Sequence, residues 1–363
     1  MMFSSPVTQF GSGTLMVMAG GTGGHVYPAM AVADYMKEHG WNIVWLCTEG
    51  GMENKLIEGK GYKKAMITMR GVRGKGLLGW LLLPIKLITA FTQSITAIRQ
   101  HQPNVVLGMG GFAAFPGGLM AKLLGKPLVI HEQNSIAGLT NKTLSLFANR
   151  VLAAFPSAFK DKAQLVGNPV RADITQLALP QQRYGARAGK LKLLVVGGSL
   201  GAQALNDVLP KALAQLPIDT FEVVHQAGEK HIDALQANYH AASRAAETKA
   251  YINNMADMYA SADVVICRAG ALTVAELACV GVASILVPFP HAVDDHQTYN
   301  AKYLSDAGAA MLIQQTEFDV QKATEILRGL TRDICLEMAI KAKQLAKPEA
   351  TQTVAKICME VAR

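Results

Sequence analysis

No stretch of this 363-residue chain is apolar for long enough to cross a bilayer. The leucine-rich run Gly76 to Ile85 ends at Lys86, whereas a span needs about 20 apolar residues. A transmembrane helix is therefore excluded there, although the run remains able to lie on a membrane. The opening MMFSSPVTQFGSGT lacks both a basic start and a long apolar centre. It does not read as a secretory signal, and residues 1–13 are expected to be a poorly ordered leader. Cysteine is scarce: Cys47, Cys267, Cys279, Cys335 and Cys358 are scattered, odd in number and without a CxxC spacing. That excludes a disulfide frame and a zinc cluster, and suits reduced thiols in a cytosol. Charged residues are only 17 % of the chain while half of it is hydrophobic, which excludes a disordered polypeptide. The length exceeds what one ordinary core fills, so two domains are expected.

Acidic residues are thin in the first half. Residues 1–168 carry 16 Lys and Arg against 7 Asp and Glu, and residues 169–363 carry 19 against 20. The whole excess of +8 thus lies in the first half. Such a face suits an anionic partner such as acidic lipid, phosphate or nucleic acid, or else is simply a solvated surface.

What the chain does contain is a repeated alternation of apolar strands with helical stretches. Leu15–Ala19, Asn42–Cys47, Asn104–Leu107, Pro127–His131 and Arg150–Ala153 read as strands in the first half. Leu191–Val196, Phe221–His225, Asp263–Cys267 and Ala283–Val287 do so in the second. Continuous apolar strands separated by helices predict parallel sheets covered on both faces. The expected fold class is α/β, with two doubly wound Rossmann-like domains over residues 14–167 and 168–347 and a linker at Gly167–Val170. A last helix over 348–363, set off by Lys347-Pro348, is expected to cross back to the first domain.

Each half opens with strand, glycine loop and helix. The first loop is Gly20-Gly-Thr-Gly-Gly-His25. Glycines let backbone N–H groups approach a phosphate, and the following helix N-terminus adds its dipole. No Gly-Lys-Ser/Thr follows, so it is not a P-loop, and Val26 stands where a dinucleotide fingerprint needs its third glycine. The matching loop of the second half is Gly197-Gly-Ser199-Leu-Gly201; Ser199 either donates to a phosphate oxygen or caps the next helix. Ligands of open α/β sheets bind beyond the carboxyl ends of strands, and the two loops are expected to face each other across a cleft. Arg268-Ala-Gly opens a further helix carrying Glu276, which is either an acceptor for paired ribose hydroxyls or a surface carboxylate. His131-Glu-Gln-Asn134 and Gly138–Asn141 suit sugar hydroxyls or loop packing. Gly108–Gly117 is a glycine-rich loop fit for a second diphosphate, or a plain tight turn. Asp294-Asp295-His296 has no second group of ligands, so no protein-held metal is expected.

Taken in order, GGTGGH (20–25), GMGG (108–111), HEQN (131–134), GNPVR (167–171), GGSLGA (197–202), CRAGALTVAE (267–276) and DHQ (295–297) resemble the MurG family. These peripheral membrane transferases add N-acetylglucosamine to undecaprenyl-diphosphate-MurNAc-pentapeptide, lipid I, in peptidoglycan synthesis, and so serve cell shape and division. The resemblance runs from about Thr14 onward, and its one mild departure is Ala269-Gly270 where the family often has Ser-Gly. It implies a GT-B fold, an inverting mechanism with no required cofactor or metal, UDP-GlcNAc as donor and a place on the cytoplasmic face of the inner membrane. It implies no nucleic-acid partner and allows for other cell-wall or division proteins. Matched by motif, the donor site takes Thr22, Gly23, Gly24, Asn134, Arg171, Ser199, Ile252, Ala271, Leu272, Thr273, Val274, Ala275, Glu276 and Gln297. His25 and Glu276 are the catalytic candidates. Gly110, Gly111, Lys75, Trp80 and Leu81 fall to acceptor and membrane, with Leu77–Leu83 between Arg70, Arg73, Lys75 and Lys86 as the docking patch, unless that run is an ordinary buried helix. A donor-only epimerase on the same fold and a non-catalytic membrane scaffold are the competing readings.

Overall fold

The structure, a computed structural model, describes residues 11–69, 83–198 and 201–362. The leader through Phe10, the patch residues Arg70, Arg73, Lys75, Trp80 and Leu81, and Ser199 lie outside them. The described chain divides into two compact units. The first comprises residues up to Gln133, Ala137–Pro169 and Glu349–Arg363; the second comprises Asn134–Ile136 and Val170–Pro348.

In the first unit the strands are β1 (Thr14–Ala19), β2 (Asn42–Thr48), β3 (Lys63–Ile67), β4 (Val105–Gly110), β5 (Leu128–Glu132), β6 (Arg150–Ala153) and β7 (Gln164–Leu165). They form one sheet in the order β3-β2-β1-β4-β5-β6-β7, every pair parallel. The helices are α1 (Gly23–Glu38), α2 (Glu53–Leu56), α3 (Leu83–His101), α4 (Ala114–Leu123) and α5 (Leu139–Leu144). Strands β1 and β4 are wholly or almost wholly buried, as parallel strands covered on both faces must be. One face packs Val26, Ala29, Val32 and Ala33 of α1 against Leu15 and Val17 of β1. Met16, Met18, Val106 and Ile130 face a separate core with Ala90 and Ile98 of α3 and Ala114 of α4.

The second unit holds β8 (Leu191–Val196), β9 (Phe221–Gln226), β10 (Glu247–Lys249), β11 (Val264–Cys267), β12 (Ala283–Leu286) and β13 (Ala310–Leu312). Their order is β10-β9-β8-β11-β12-β13, again all parallel. Its helices are α6 (Ala172–Thr175), α7 (Pro180–Gly185), α8 (Gln203–Ala214), α9 (Ile232–Ala241), α10 (Met255–Ser261), α11 (Ala271–Val280), α12 (His296–Ser305), α13 (Val320–Gly329) and α14 (Arg332–Gln344). The last helix, α15 (Ala350–Val361), belongs to the first unit, where Val354, Ala355 and Cys358 join the core shared by α1 and β1.

Both sheets have the same topological logic. The chain lays strands outward on one side of β1, then returns with β4 on its other side; β8 and β11 repeat the move. Ligands of doubly wound sheets bind at these reversals, and at each of them two turns emerge side by side.

Three strands escape the apolar pattern, β3 (KKAMI), β7 (QL) and β10 (ETK), and a fourth, β13 (AML), is apolar but only three residues long. All four are short and stand at the edges of the two sheets. Their pairing, more than their hydrophobicity, makes them strands. The five cysteines are unpaired and buried.

Asp263, just before β11, is fully buried. It accepts from Arg187 at 2.6 Å, from Arg332 at 3.3 Å and from the Lys192 amide at 2.9 Å. Removing one partner of a buried ion cluster strands the others and costs about 3–5 kcal/mol. Asp263→Ala is expected to lower the denaturant midpoint of the second unit by about that free energy in equilibrium urea unfolding of the full chain, leaving the first unit's transition in place.

Candidate active site

At the first reversal, β1 runs out into Gly20-Gly21 and Thr22, the residue that precedes α1. The Thr22 carbonyl accepts from the amides of His25 (3.1 Å) and Val26 (3.2 Å). Gly21 has φ +87°, a left-handed value that a side chain resists. Thr22 and Gly24 are exposed, so the amides at the start of α1 are open to a ligand. From the neighbouring strand β4 come Gly110 (φ +98°) and Gly111 (φ +88°). A Cβ on Gly111 would lie 2.3 Å from the Gly20 carbonyl oxygen. The two turns approach so closely that only glycine fits. A Cβ on Gly110 would lie 3.0 Å from Cε1 of His25, so the half-buried imidazole rests on that glycine. His25 Nδ1 is 2.7 Å from Gln133 Oε1.

Glu53, buried at the start of α2, belongs to no sequence motif. Its Oε1 accepts from the amide and hydroxyl of Thr48 at 2.8 and 2.6 Å. Its carboxyl carbon would be 3.1 Å from a Cβ on Gly20, so it shores up the first glycine turn from beneath.

The HEQN segment divides. His131, Glu132 and Gln133 are buried. Glu132 Oε2 accepts from the Gly138 amide (3.0 Å) and the Asn141 amide group (2.9 Å). Of the two readings of this cluster, loop packing is the one the structure supports for Glu132 and Asn141. Asn134 belongs to the second unit, where Asn300 donates to its Oδ1 (3.3 Å) and to the Ala269 carbonyl (3.3 Å).

At the second reversal, β8 leads into Gly197-Gly198 and β11 into Arg268-Ala269-Gly270. A Cβ on Gly197 would meet the Ala202 amide at 2.7 Å, and one on Gly201 (φ +77°) the Ala227 carbonyl at 2.2 Å. Gly197 thus lies close against Ala202, and Gly201 against the chain after β9. Helix α11 follows Gly270. The carbonyls at its far end are taken by cations: Arg183 donates to Val280 and Gly281, and Lys343 to Cys279. With its C-terminus so compensated, the N-terminal amides remain for an anion. Arg268 is committed to structure, donating to the carbonyls of Val287 (3.1 Å) and Pro288 (3.2 Å) and to Gln315 (2.5 Å).

Along α11, Ala271, Val274 and Glu276 are buried, while Leu272, Thr273 and Ala275 are half-buried. Glu276 accepts from the Tyr259 hydroxyl at 3.2 Å. Burial pushes its carboxyl up to about 7, with Arg171 and Tyr259 pulling the other way and Asp173 adding to the rise. Arg171 immediately precedes α6, with Asp173 3.8 Å away. Ile252 is buried between β10 and α10. Gln297, in the first turn of α12, accepts from the Phe289 amide at 2.9 Å. The two residues before α12, Asp294 (φ +54°) and Asp295 (φ +52°), are both left-handed. Such strain costs of order 1–3 kcal/mol per residue and gathers at functional loops. Among the described residues no group of three or more His, Cys, Asp or Glu side chains is placed to hold a metal ion.

Two parallel-sheet domains with glycine turns at their strand reversals have the GT-B architecture of glycosyltransferases. The glycosyltransferase family 28 N-terminal domain matches residues 15–153 and the family 28 C-terminal domain residues 192–354. The chain is 56 % identical over 353 residues to the UDP-N-acetylglucosamine–N-acetylmuramyl-(pentapeptide) pyrophosphoryl-undecaprenol N-acetylglucosamine transferase of Nitrosospira multiformis, covering 96 % of this chain and 99 % of that one. The protein of the same name from Cupriavidus metallidurans is 57 % identical over 350 residues, covering 96 % and 98 %. The crystal structure of MurG from Acinetobacter baumannii superposes with a TM-score of 0.85 at 41 % identity, covering 96 % and 99 %. The chain belongs to the MurG family of glycosyltransferases. A Listeria monocytogenes protein described as a UDP-N-acetylglucosamine 2-epimerase has a TM-score of 0.61 at 13 % identity, which shows a shared fold and no more.

Two outcomes test this geometry. Gly111→Ala is expected to displace the Gly20 turn and lower ligand affinity at the first reversal, as titration calorimetry with UDP and with a lipid-linked acceptor analogue would show. For Glu276, a folded value near 7 above an ordinary one of 4.5 means stability is greatest below about pH 4.5 and falls as pH rises to about 7. A tenfold change in proton affinity on folding is worth about 1.4 kcal/mol. Glu276→Gln is expected to flatten that slope and raise stability at pH 8 by about 3 kcal/mol, read from urea midpoints across pH 5–8.

Proposed function

We propose that the protein transfers N-acetylglucosamine from UDP-GlcNAc to the 4-hydroxyl of MurNAc in undecaprenyl-diphosphate-MurNAc-pentapeptide, converting lipid I to lipid II with inversion. The observation that carries this is the identity of more than half of all residues, over almost the full length, to transferases of that name. The second unit is the donor domain. The turn at Gly197–Ala202 and the N-terminal amides of α11 face the diphosphate, Glu276 takes the ribose hydroxyls, the backbone of Ile252 meets the uracil, and Asn134, Arg171, Ser199 and Gln297 complete the set. The first unit is the acceptor domain, with His25 and the glycines 110–111, while its Thr22, Gly23 and Gly24 keep the donor-site role that their motif implies.

The reaction is a single displacement. The acceptor hydroxyl oxygen bonds to the anomeric carbon as the bond to the β-phosphate oxygen breaks, and its proton passes to His25. Charge gathers on the departing UDP, where preorganised backbone amides stabilise it without a metal or other cofactor.

The acceptor is lipid-linked, so the protein works at the cytoplasmic face of the inner membrane as a peripheral protein. No helix among the described residues is long and apolar enough to span a bilayer. Ile85 and Ile88, 63 % and 61 % exposed one turn apart on α3, flank Lys86 and support docking of this part of the first unit on anionic lipid. In the sequence, the apolar run Leu77–Leu82 leads directly into that helix.

The test is GlcNAc transfer from UDP-GlcNAc to a lipid I analogue. Product in the presence of EDTA, and no epimerised sugar when the donor is incubated alone, are expected; absence of transfer under conditions where a known family member is active defeats the assignment. His25→Ala is expected to lower kcat by about 10²–10⁴-fold with UDP affinity retained. Glu276→Ala is expected chiefly to weaken UDP binding in calorimetry.

A further inference from the structure

Three residues behind His25 form a continuous chain with it, and two backbone carbonyls fix the direction of every hydrogen bond in it. Gly167 O lies 2.9 Å from His131 Nε2. A carbonyl only accepts, so His131 carries its proton on Nε2. His131 is completely buried, and burial pushes its pKa down to about 4, so the ring is neutral near pH 7 and its Nδ1 is a bare acceptor. Gln133 Nε2 lies 3.1 Å from that Nδ1 and 3.0 Å from the His131 carbonyl. Both partners accept, so the amide NH2 must face them and donate its two hydrogens. The amide oxygen is thereby turned the other way, 2.7 Å from His25 Nδ1. An amide oxygen cannot donate, so His25 must donate from Nδ1.

We infer that Gln133 and His131 are positioning residues that lock the neutral His25 imidazole in the tautomer protonated on Nδ1, so that Nε2 holds the lone pair. The inference rests on the reading of His25 as the base. In that step the acceptor O–H proton moves to Nε2, the oxygen bonds to the anomeric carbon and the electron pair of the broken bond leaves on UDP. The imidazolium so formed keeps its Nδ1–H bond to Gln133, so the partner needs no rearrangement during the reaction.

The choice of partner has a physical reason. A carboxylate would also hold Nδ1–H, but it would add negative charge close to the turns that must accommodate diphosphate. A neutral amide sets the tautomer without that charge. Orientation is fixed as well as protonation: the ring lies over Gly110, where a Cβ would sit 3.1 Å from Nδ1 and 3.5 Å from Nε2. Any side chain at 110 would tilt the imidazole away from Gln133.

The test is two-bond 1H–15N correlation on the full chain labelled with 15N-histidine, recorded above the histidine titration range and assigned with His25→Ala. Wild-type His25 is expected to show protonated Nδ1 and bare Nε2; a signal protonated on Nε2 overturns the inference and needs no further variant. Gln133→Met removes the acceptor, and the ring is expected to move toward the Nε2-protonated form that free imidazole side chains favour in water. There kcat is expected to fall by about 10–100-fold with KM for UDP-GlcNAc changed less than about two-fold, since loss of a tautomer-setting partner acts on chemistry more than on binding. Gln133→Glu, whose buried and protonated carboxyl keeps a carbonyl oxygen toward His25, is expected to retain the wild-type tautomer and restore most of kcat. An unchanged tautomer and kcat in Gln133→Met would defeat the relay. Full activity in His25→Ala would defeat the base assignment instead, and leave the tautomer result standing.

Discussion

Closeness of backbone to backbone is the constraint on which the first unit depends. Strands β1 and β4 are hydrogen-bonded neighbours, and their turns leave the sheet at the same point. A Cβ on Gly111 would stand 2.3 Å from the Gly20 carbonyl, so the pair of turns exists only because position 111 carries no side chain. That closeness leaves the amides at the start of α1 uncovered and sets the His25 ring down on Gly110. Open backbone amides and ring placement are therefore two results of one steric fact.

The second unit reaches a similar end by electrostatics. Helix α11 has its C-terminal carbonyls bound by Arg183 and Lys343, which leaves its N-terminal amides as the unsatisfied end. Glu276 sits in the same helix, buried deeply enough that its carboxyl is raised to about 7. A carboxylate held near its titration point gains from hydroxyl donors that restore the hydrogen bonds lost on burial. The raised value and the proposed contact with a ribose thus share one cause.

The parallel α/β class was legible because buried parallel strands must be largely apolar, and β1, β4, β8, β11 and β12 are, with Lys192 of β8 as the one charged residue among them. The strands without that signature, β3, β7 and β10, and the three-residue β13 lie at sheet edges, and nothing in KKAMI or ETK distinguishes them from loop. The HEQN segment shows the same limit in the site. Its residue types suit sugar hydroxyls as well as loop packing, and only burial and partner geometry separate Glu132, spent on Gly138 and Asn141, from Gln133, turned toward His25. Glu53 gave no motif at all; its place under Gly20 comes from the short helix α2, which follows β2, the strand paired with β1.

Sequence alone determined the α/β class, the glycine-rich turns and membership of the MurG family, because these follow from hydrophobic period and from an ordered set of short motifs. Tertiary structure alone decided which groups face which: the contact of the Gly20 and Gly111 turns, the burial that raises Glu276, and the chain from Gly167 through His131 and Gln133 to His25. Those are matters of distance between residues far apart in the chain, set by which strands become neighbours and by what lies behind them, and no local pattern encodes them.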